Sequence, residues 1–470
     1  ETKKANKLEI KKEKIKEFIL YLPFELTDDQ KKSAWEILQE TNSDQTMSRL
    51  LQGDVGSGKT IVALIAALNC LLNNKQAIFM APTEILANQH YNTSLKLLEK
   101  YNFKIALLTS QKKEANFEIN SKNKKEISQI ICQEADLVIG THSLIGENIK
   151  FKNLSLTIVD EQHRFGVNQR QEILNKNIDD KRNITTPHFL SMTATPIPRS
   201  LSLVLFNGLK LSSIKTKPKN RLDIKTDIVG PERKMAMYKF IEKEILKGRQ
   251  AFIICPLIEE SENSESKSVK EEYQKIKRNI FPEIEMAMLH GKMKAIEKER
   301  IMTDFLNNKI KIIISTSVIE VGIDVPNATI MLIEGAERFG LAQLHQFRGR
   351  VGRGEHQSYC FLSIGDNKND TLFFSKDKNN VGIKRLEALK KYQNGLDLAK
   401  IDLKNRGSGD IYGKIQSGFM NFKFASIFDY EIIKRTKEEL EILTKNDPEF
   451  KKNTLLLKKI KKNLKETHLE

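Results

Sequence analysis

The chain has 470 residues, and its 78 Lys and Arg outnumber its 61 Asp and Glu, which leaves a formal net charge of +17. A chain of this length is not a mini-protein and has room for about three domains. The positive charge predicts attraction to a polyanion, with nucleic acid as the first candidate and an anionic membrane surface as the second. Most of the basic residues are Lys, so solubility explains the surplus equally well.

No segment predicts a membrane span, a zinc ribbon or a disulfide framework. The longest apolar stretch, Ile61–Leu72, is shorter than the about 20 residues that cross a bilayer and is interrupted by Asn69. The four cysteines form no Cys-x-x-Cys pair. We therefore expect a soluble protein of the reducing cytoplasm that does not bind membranes. Glu1 stands where an initiator Met is expected and no signal-peptide pattern follows it, so we expect further sequence upstream.

Beyond Pro23, short apolar runs alternate with helix-length segments, which is typical of a parallel sheet covered by helices. The runs that predict strands of a first α/β unit are Ala77–Met80, Leu137–Ile139, Leu156–Val159 and Phe189–Met192. The runs that predict strands of a second unit are Ala251–Cys255, Ile310–Ser315, Ile330–Ile333 and Tyr359–Leu362.

This pattern predicts four regions. Residues 1–24 are dense in Lys and Glu and predict a helix or linker from an upstream region. Residues 25–217 and 218–378 are predicted to form two tandem α/β lobes, with the boundary in the polar, basic break Ile214–Asp227. Residues 379–470 predict mostly charged helices with a Gly-rich interruption at Arg406–Gly418.

The strongest local motif is a phosphate-binding loop (P-loop) between the Leu50–Leu51 pair and an apolar helix. Its residues are Gly53, Asp54, Val55, Gly56, Ser57, Gly58, Lys59 and Thr60, which fit the pattern G-x-x-x-x-G-K-[ST]. Backbone N–H groups of such a loop surround phosphates, and the helix N-terminus adds partial positive charge. We expect all of these residues except Val55 to bind ATP, with Lys59 on the outer phosphates and Thr60 on Mg²⁺. An accidental Gly-rich turn is the alternative.

A pair of acids follows the apolar run Leu156–Val159. Asp160 is expected to hold Mg²⁺ together with Thr60, and Glu161 to act as the base that polarises the attacking water. Such a pair is common after a strand, and only the upstream P-loop makes it indicative of a nucleotide site. His163, directly after the acids, is predicted to act as a relay rather than as a core histidine.

Arginine is scarce in this chain but concentrated in one segment. Four of the 17 arginines lie within sixteen residues, namely Arg338, Arg348, Arg350 and Arg353. Because Lys replaces Arg wherever a point charge suffices, this cluster indicates positions where the planar guanidinium is needed. Its predicted use is to clamp the γ-phosphate as charge develops, with Arg350 and Arg353 as the catalytic pair. A salt-bridged basic patch is the alternative.

Together these motifs resemble those of superfamily two helicases. Leu26-Thr27 with Gln30 resembles the adenine-reading Q motif, and Asp160-Glu161-Gln162-His163 resembles the DExH box. Further similar motifs are Ala81-Pro82-Thr83-Glu84, Gly140-Thr141-His142, Ser191 to Pro196, Ser315 to Asp324 and Gln346 to Arg353. The resemblance implies two RecA-like lobes, with further ATP contacts from Gln30, Gly322 and Asp324. It also implies DNA contacts or coupling at Thr83, Thr141, His163, Thr193 and Thr316.

The finer resemblance is to the RecG branch, through Cys255–Ser261, Leu289–Met293, Ile333–Leu341 and Leu344–Gln346. Arg406–Asp410 with Gln416 is similar to the TRG element, which implies coupling roles for Arg406 and Gln416. Three positions depart from that element, Ser408, Asp410 and Tyr412, and leave its coupling geometry open. The resemblance implies a monomeric ATP-driven translocase that acts on branched double-stranded DNA such as replication forks and Holliday junctions.

Three alternatives stay open at this point. The motor of a transcription-repair coupling factor also carries a TRG element, although the Cys255–Ser261 run favours RecG. A non-catalytic nucleic-acid binding module would not need the complete set of ATP-site residues. An RNA helicase on the same core would be stimulated by RNA, whereas the TRG-like segment favours duplex DNA.

Overall fold

The computed structural model describes residues 4–121, 123–146, 149–161, 185–194, 209–216, 222–256, 264–316, 325–365, 381–402, 430–447 and 450–459. By its contacts the chain divides into two units. The first comprises Glu1–Pro196 and Lys210–Leu398, and the second Ile197–Leu209 and Ala399–Glu470. Both α/β lobes lie within the first unit.

The first lobe is built on a sheet that has eight strands among the described residues. The strands are β1 (Ser48–Gly53), β2 (Gln76–Met80), β3 (Ile105–Leu108), β4 (Lys113–Ala115), β5 (Leu137–Gly140), β6 (Leu154–Val159), β7 (His188–Thr193) and β8 (Lys210–Ile214). Their order is β4-β3-β5-β2-β6-β7-β1-β8, and only β4 pairs antiparallel. The central strands are buried along their whole length, as a sheet covered on both faces requires.

Helices of the first lobe pack on this sheet. They are α1 (Lys12–Tyr21), α2 (Asp28–Thr41), α3 (Lys59–Leu72), α4 (Glu84–Leu98) and α5 (Lys124–Glu134). Helix α3 is buried on nearly every side, which explains its uniformly apolar sequence. The N-terminal segment, predicted as a linker, adds Leu8, Phe18 and Leu22 to the core of this lobe.

The second lobe has a six-stranded, fully parallel sheet among the described residues. Its strands are β9 (Lys225–Val229), β10 (Gln250–Ile254), β11 (Met286–Leu289), β12 (Ile312–Ser315), β13 (Ala328–Ile333) and β14 (Tyr359–Ser363), in the order β11-β12-β10-β13-β14-β9. Its helices are α6 (Lys234–Leu246), α7 (Ser264–Asn279), α8 (Ala295–Leu306), α9 (Leu341–Arg348) and α10 (Val381–Lys391). Helix α11 (Tyr430–Asn446) belongs to the second unit.

The α/β prediction and all eight predicted strands are confirmed, with shifts of up to two residues at their ends. The runs that predicted strands did not include β1, β3, β4, β8, β9 and β11, because these strands are short, lie at a sheet edge or carry polar and charged residues. The polar break Ile214–Asp227 is shorter than predicted, since β8 ends at Ile214 and β9 begins at Lys225.

The predicted C-terminal region begins at residue 379, but the contacts keep Val381–Leu398 in the first unit. Helix α10 packs on the second lobe and has Leu386 and Leu389 fully buried. The Gly-rich interruption at Arg406–Gly418 lies outside the described residues.

Among the described residues, no helix is both long and apolar enough to span a bilayer. All four cysteines are buried free thiols. Burial raises the pKa of Cys360 to about 12, so this thiol stays protonated at neutral pH.

Candidate functional site

The predicted site residues of the first lobe converge at one edge of its sheet. Parallel strands end at the same edge, and the P-loop follows β1, Asp160 follows β6, and Thr141 follows β5. Strand β7 lies between β6 and β1 and places Thr193 between the two halves of the site. Sheet order thus brings together residues that are about a hundred positions apart in sequence.

The P-loop depends on glycine at two positions. Gly56 has φ +71° and Gly58 has φ +83°, the left-handed region that L-residues with a side chain rarely adopt. A Cβ atom on Gly58 would also clash with Nε2 of Gln30. Lys59 and Thr60 follow as the first residues of α3, so the helix N-terminus faces the loop.

Gln30 holds the P-loop from helix α2. It forms a capping box with Thr27, whose N–H donates to Gln30 Oε1 at 2.8 Å. Its Nε2 donates to the carbonyl of Ser57 at 2.8 Å, and the side chain is buried. Gln30, which is predicted to bind ATP, therefore also stabilises the P-loop through this hydrogen bond.

Lys59 is buried, and its ammonium group donates to the carbonyls of Gly53 at 2.9 Å and Asp54 at 3.0 Å. Burial lowers its pKa below the ordinary value, whereas the charges of Glu161, Asp160 and Asp54 oppose that shift. The site thus holds a desolvated cation among acids, which suits a phosphate-binding lysine.

Asp160 is buried at the end of β6, where its N–H donates to the carbonyl of Met80 at 2.8 Å. His90 Nε2 lies 3.1 Å from Asp160 Oδ2. Burial raises the pKa of Asp160, but the hydrogen bond from His90 and the charge of Lys59 outweigh burial, so the pKa is lowered. The carboxylate is ionised at neutral pH and can only accept, so Nε2 of His90 carries the proton.

His90 is a site residue that the sequence analysis missed. It lies on α4, two turns after Thr83, and its ring stacks on Phe79 with centroids 4.4 Å apart. His90 is seven residues after Thr83 and therefore lies on the same helix face, a spacing that could have identified it. It joins the helix that begins at a predicted DNA-binding motif to the predicted metal ligand.

We expect His90→Ala to raise the Mg²⁺ concentration needed for half-maximal ATPase by about tenfold, because the carboxylate loses its orienting donor. His90→Gln places an amide donor near the same position and should restore most of the lost metal affinity. A Mg²⁺ titration of the ATPase measures both. Equal metal dependence in wild type and His90→Ala would contradict the role assigned to this hydrogen bond.

Glu161 has an unusual backbone conformation, with φ +51°. Its N–H donates to Asp160 Oδ1 at 3.0 Å, and its Oε2 accepts from the N–H of Ala194 at 3.4 Å. Ala194 directly follows Thr193, so the predicted base contacts the segment predicted to couple ATP to DNA. A strained residue held at such a point is typical of a functional site.

The second lobe contributes its arginine cluster, which extends from just before α9 to just after it. Arg350 is buried, and Arg353 is half-buried with Nε donating to the carbonyl of Gly349 at 3.3 Å. The charge of Arg353 acts on Lys59, which places it on the same side as the P-loop. A Cβ on Gly349 would lie 2.7 Å from Cβ of Val55, so this lobe lies directly against the P-loop.

Two arginines of the cluster, Arg348 and Arg338, form contacts away from the P-loop. Arg348 is fully buried and donates to the backbone carbonyls of Leu389 and Tyr392, at 2.5 and 3.0 Å. The side chain of Arg338 is 42% exposed and lies 3.7 Å from Glu337. The guanidinium geometry is thus needed at Arg348 for a buried network rather than for phosphate.

Asp54 was predicted to bind the cofactor, but its carboxylate is bound to the second lobe. Oδ1 contacts His345 Nε2, and Oδ2 accepts from the N–H of Gly395 at 3.2 Å. Burial raises the pKa of Asp54, but the hydrogen bonds from His345 and from the N–H of Gly395, together with the charge of Lys59, outweigh burial and lower the pKa to about 2. In this structure Asp54 is therefore an interlobe contact within the P-loop.

The predicted DNA-contact residues lie at the edge of the sheets. Thr83 is half-buried and caps α4 by accepting from the N–H of Leu86 at 3.4 Å. Thr141 Oγ1 lies 3.2 Å from Ser143 Oγ. Thr193 and Thr316 are buried. The predicted site residues His163, Gly322, Asp324, Arg406 and Gln416 lie outside the described residues.

The donor set fits Mg²⁺ in the way that nucleotide enzymes hold it. No group of three His, Cys, Asp or Glu in the described part of the chain could bind a metal alone. Mg²⁺ is usually held by one or two protein ligands together with substrate phosphates. Asp160, ionised at the end of β6, and Thr60, on the first turn of α3, would supply those ligands.

Two family models match the two lobes. Residues 27–204 match the DEAD/DEAH box helicase family, and residues 233–355 match the helicase conserved C-terminal domain. The ATP-dependent DNA helicase RecG of Synechocystis sp. is 43% identical over 437 residues, which cover 93% of this chain and 50% of that protein. The RecG helicase of Bacillus subtilis is 42% identical, covering 93% of this chain and 61% of that protein. The chain spans about half the length of the curated relatives it matches.

Among solved structures, the chain is similar to a RecG helicase and, in fold, to an RNA-bound protein. A structure of RecG bound to a three-way DNA junction matches with a TM-score of 0.72 at 37% identity, covering 93% of this chain and 53% of that chain. A structure of Saccharomyces cerevisiae Dbp5 bound to RNA and ADP BeF3 matches with a TM-score of 0.52 at 16% identity, covering 88% of this chain and 97% of that chain. At that identity the second match reports the fold alone.

Proposed function

The chain belongs to the RecG type of superfamily two helicases and carries their two RecA-like lobes, and from this premise we propose that it is an ATP-driven motor that moves on double-stranded DNA and remodels branched DNA. The observation that carries the proposal is the set of charges brought together at the P-loop. Lys59 from the P-loop, Asp160 and Glu161 from the end of β6, and Arg353 from the second lobe act on one another there.

Each residue has a role that its position supports. The P-loop backbone and Lys59 would bind the phosphates of ATP, and Asp160 with Thr60 would hold Mg²⁺, which neutralises developing charge on the phosphates. Glu161 would accept a proton from the attacking water. Arg350 and Arg353 would stabilise the transferred phosphoryl group from the second lobe. Because residues of both lobes are required, hydrolysis would depend on how closely the lobes approach.

The proposed substrate is branched duplex DNA, namely replication forks and Holliday-type junctions. The RecG helicases reported above support this choice by their names, and one of them is bound to a three-way DNA junction. Thr83, Thr141, Thr193 and Thr316 are proposed to contact DNA or couple it to ATP, and the TRG-like residues Arg406 and Gln416 to carry the step. The net charge of +17 would add a salt-dependent, sequence-independent attraction to DNA phosphates. We propose a monomer that acts in the cytoplasm.

The test compares ATPase rates of this chain without nucleic acid and with fork DNA, linear duplex DNA or RNA. We expect fork DNA to stimulate turnover by about tenfold or more over the basal rate, because DNA contacts would favour the closed lobes. Preferential stimulation by RNA would instead assign the chain to RNA helicases. Absence of stimulation by any nucleic acid would overturn the proposal.

Transcription-repair coupling is the other function that the TRG-like element allows. The relatives reported above carry the RecG name, so no observation favours the coupling factor. A non-catalytic binding module is not favoured either, because Lys59, Asp160, Glu161, Arg350 and Arg353 are all present.

A further inference from the structure

Asp54 is the point at which the P-loop is bound by the second lobe. Its two carboxylate oxygens have different partners, His345 from α9 and the backbone N–H of Gly395. The side chains of Asp54 and His345 are 17% and 8% exposed, so water competes little for this contact. A P-loop can bind phosphate through its backbone N–H groups without either of these two contacts, so the contacts call for a separate explanation.

The hydrogen bonds continue from His345 through Arg348. Arg348 Nη2 lies 3.1 Å from His345 Nδ1, and the same nitrogen donates to the carbonyl of Gln393 at 3.2 Å. Gln393 lies two residues before Gly395, which donates back to Asp54. The contacts therefore form a closed ring that runs from the P-loop through α9 to residues 389–395.

The proton positions in this ring follow from the chemistry of arginine. A guanidinium has donors and no acceptors, so Nδ1 of His345 must accept from Arg348. In the neutral imidazole the proton then lies on Nε2, which faces the carboxylate of Asp54. Each member of the ring has one arrangement that satisfies its neighbours, and loss of the imidazole breaks the ring at two bonds.

The ring also balances two buried charges. Burial raises the pKa of Asp54 and lowers that of Arg348, yet the carboxyl pKa falls to about 2 and arginine stays cationic in proteins. The negative charge of Asp54 and the positive charge of Arg348 are connected through the imidazole of His345, so each buried charge has a partner of opposite sign. Removing one member leaves the other charge without its partner, which is costly in a buried site.

A steric contact runs beside the ring. Gly349 follows Arg348 and leaves no room for a Cβ against Val55, the residue after Asp54. Two consecutive P-loop residues thus contact three positions of the second lobe, His345, Gly349 and Gly395. A shift of the P-loop of the kind that phosphate binding requires would displace these partners as well.

We propose that Asp54, His345 and Arg348 form a relay that sets the position of the second lobe against the P-loop and transmits P-loop movement to residues 389–395. These three are positioning residues, because they act through the placement of Arg353 rather than on the phosphates. This inference rests on the proposed function, because its kinetic test measures the proposed ATPase activity. In sequence, residues 389–395 are followed closely by Ala399, the first residue of the longer stretch of the second unit.

The kinetic test uses two substitutions of one residue. His345→Phe keeps a planar ring without hydrogen bonds, and we expect kcat of the DNA-stimulated ATPase to fall about tenfold while KM for ATP changes by about twofold at most. His345→Gln can both donate and accept and should restore most of kcat. The double variant with Asp54→Ala should be no slower than the slower single variant, since both break the same ring.

A matched control is available at another contact between the lobes. Lys112 of the first lobe forms an ion pair with Glu299 of α8, and both side chains are about one-third exposed. Glu299→Ala should alter kcat by about twofold at most, as expected for a partly exposed ion pair that solvent screens. An equal loss in this variant and in His345→Phe would show that any interlobe contact matters and would overturn the specific relay.

A second readout is independent of turnover. Hydrogen exchange at residues 389–395 is measured with and without a non-hydrolysable ATP analogue. We expect the analogue to change exchange there in the wild type and not in folded His345→Phe. A wild type without this change, a raised KM with unchanged kcat in His345→Phe, or additive losses in the double variant would each overturn the relay. Loss of ATPase with the exchange change retained would instead overturn only the proposed function.

Discussion

Lys59→Ala is expected to lower DNA-stimulated ATPase by about 10³-fold, because the loop loses the only side-chain cation of its motif at the phosphate position. The ammonium group lies among three acids that oppose the loss of its charge on burial. In this structure the ammonium group donates to the carbonyls of Gly53 and Asp54. A bound phosphate would replace these carbonyls as the acceptor. The measurement is steady-state turnover at saturating fork DNA.

Two controls separate this loss from a folding defect. Thermal unfolding of Lys59→Ala should remain cooperative, since the change removes two hydrogen bonds from a loop and leaves the core of α3 intact. Lys31→Ala removes another lysine of the same lobe, 58% exposed on α2, and should leave turnover unchanged. Substantial turnover in folded Lys59→Ala would mean that the P-loop does not hold the hydrolysed phosphates.

Arg353→Ala is the second substitution with a large expected effect, a fall in kcat of about 10³-fold with ATP binding retained. Arg353 and Lys59 come from different lobes, and their charges repel each other in the absence of phosphate. A phosphate between them would turn that repulsion into two attractions, which strengthen as negative charge builds on the transferred group. Single-turnover experiments measure the rate of hydrolysis, and titration with a fluorescent ATP analogue measures binding, so the two measurements separate a loss of catalysis from a loss of affinity.

Arg338→Ala is the matched control, because Arg338 belongs to the same arginine cluster but is exposed and paired with Glu337. It should lose no more than about twofold in kcat, as expected of an exposed pair. If Arg338→Ala and Arg353→Ala were equally impaired, the cluster would act through general charge rather than through a defined contact at the phosphate.

Much of the site could be predicted from sequence because its motifs are local. The P-loop needs glycines and a lysine at fixed spacing, and Gly56 and Gly58 indeed have positive φ. Asp160 follows a run of apolar residues long enough to mark a buried strand. The eight predicted strands were found for the same reason, since strands buried on both faces are continuously apolar. Edge strands such as β4 and β9 lack that pattern.

Other assignments depended on which segments the sheet order brings together. His90 reaches Asp160 from 70 residues away, because β2, which precedes α4, pairs with β6. Asp54 contacts His345 across 291 residues, so the carboxylate of a predicted cofactor ligand forms an interlobe contact in this structure. Arg348 belongs to the arginine cluster in sequence, yet it binds backbone carbonyls of residues 389–393.

The sequence by itself determined the α/β architecture and predicted the nucleotide site and the family, because these depend on apolar runs and motifs that fold within a few residues of one another. Only the tertiary structure decided which charged residues lie together at the P-loop and which connect the two lobes. The physical reason is that a charged side chain takes the partner that folding brings within hydrogen-bond distance. Asp54 and Asp160 both stand at the end of a strand, and only their neighbours in space separate an interlobe contact from a predicted metal ligand.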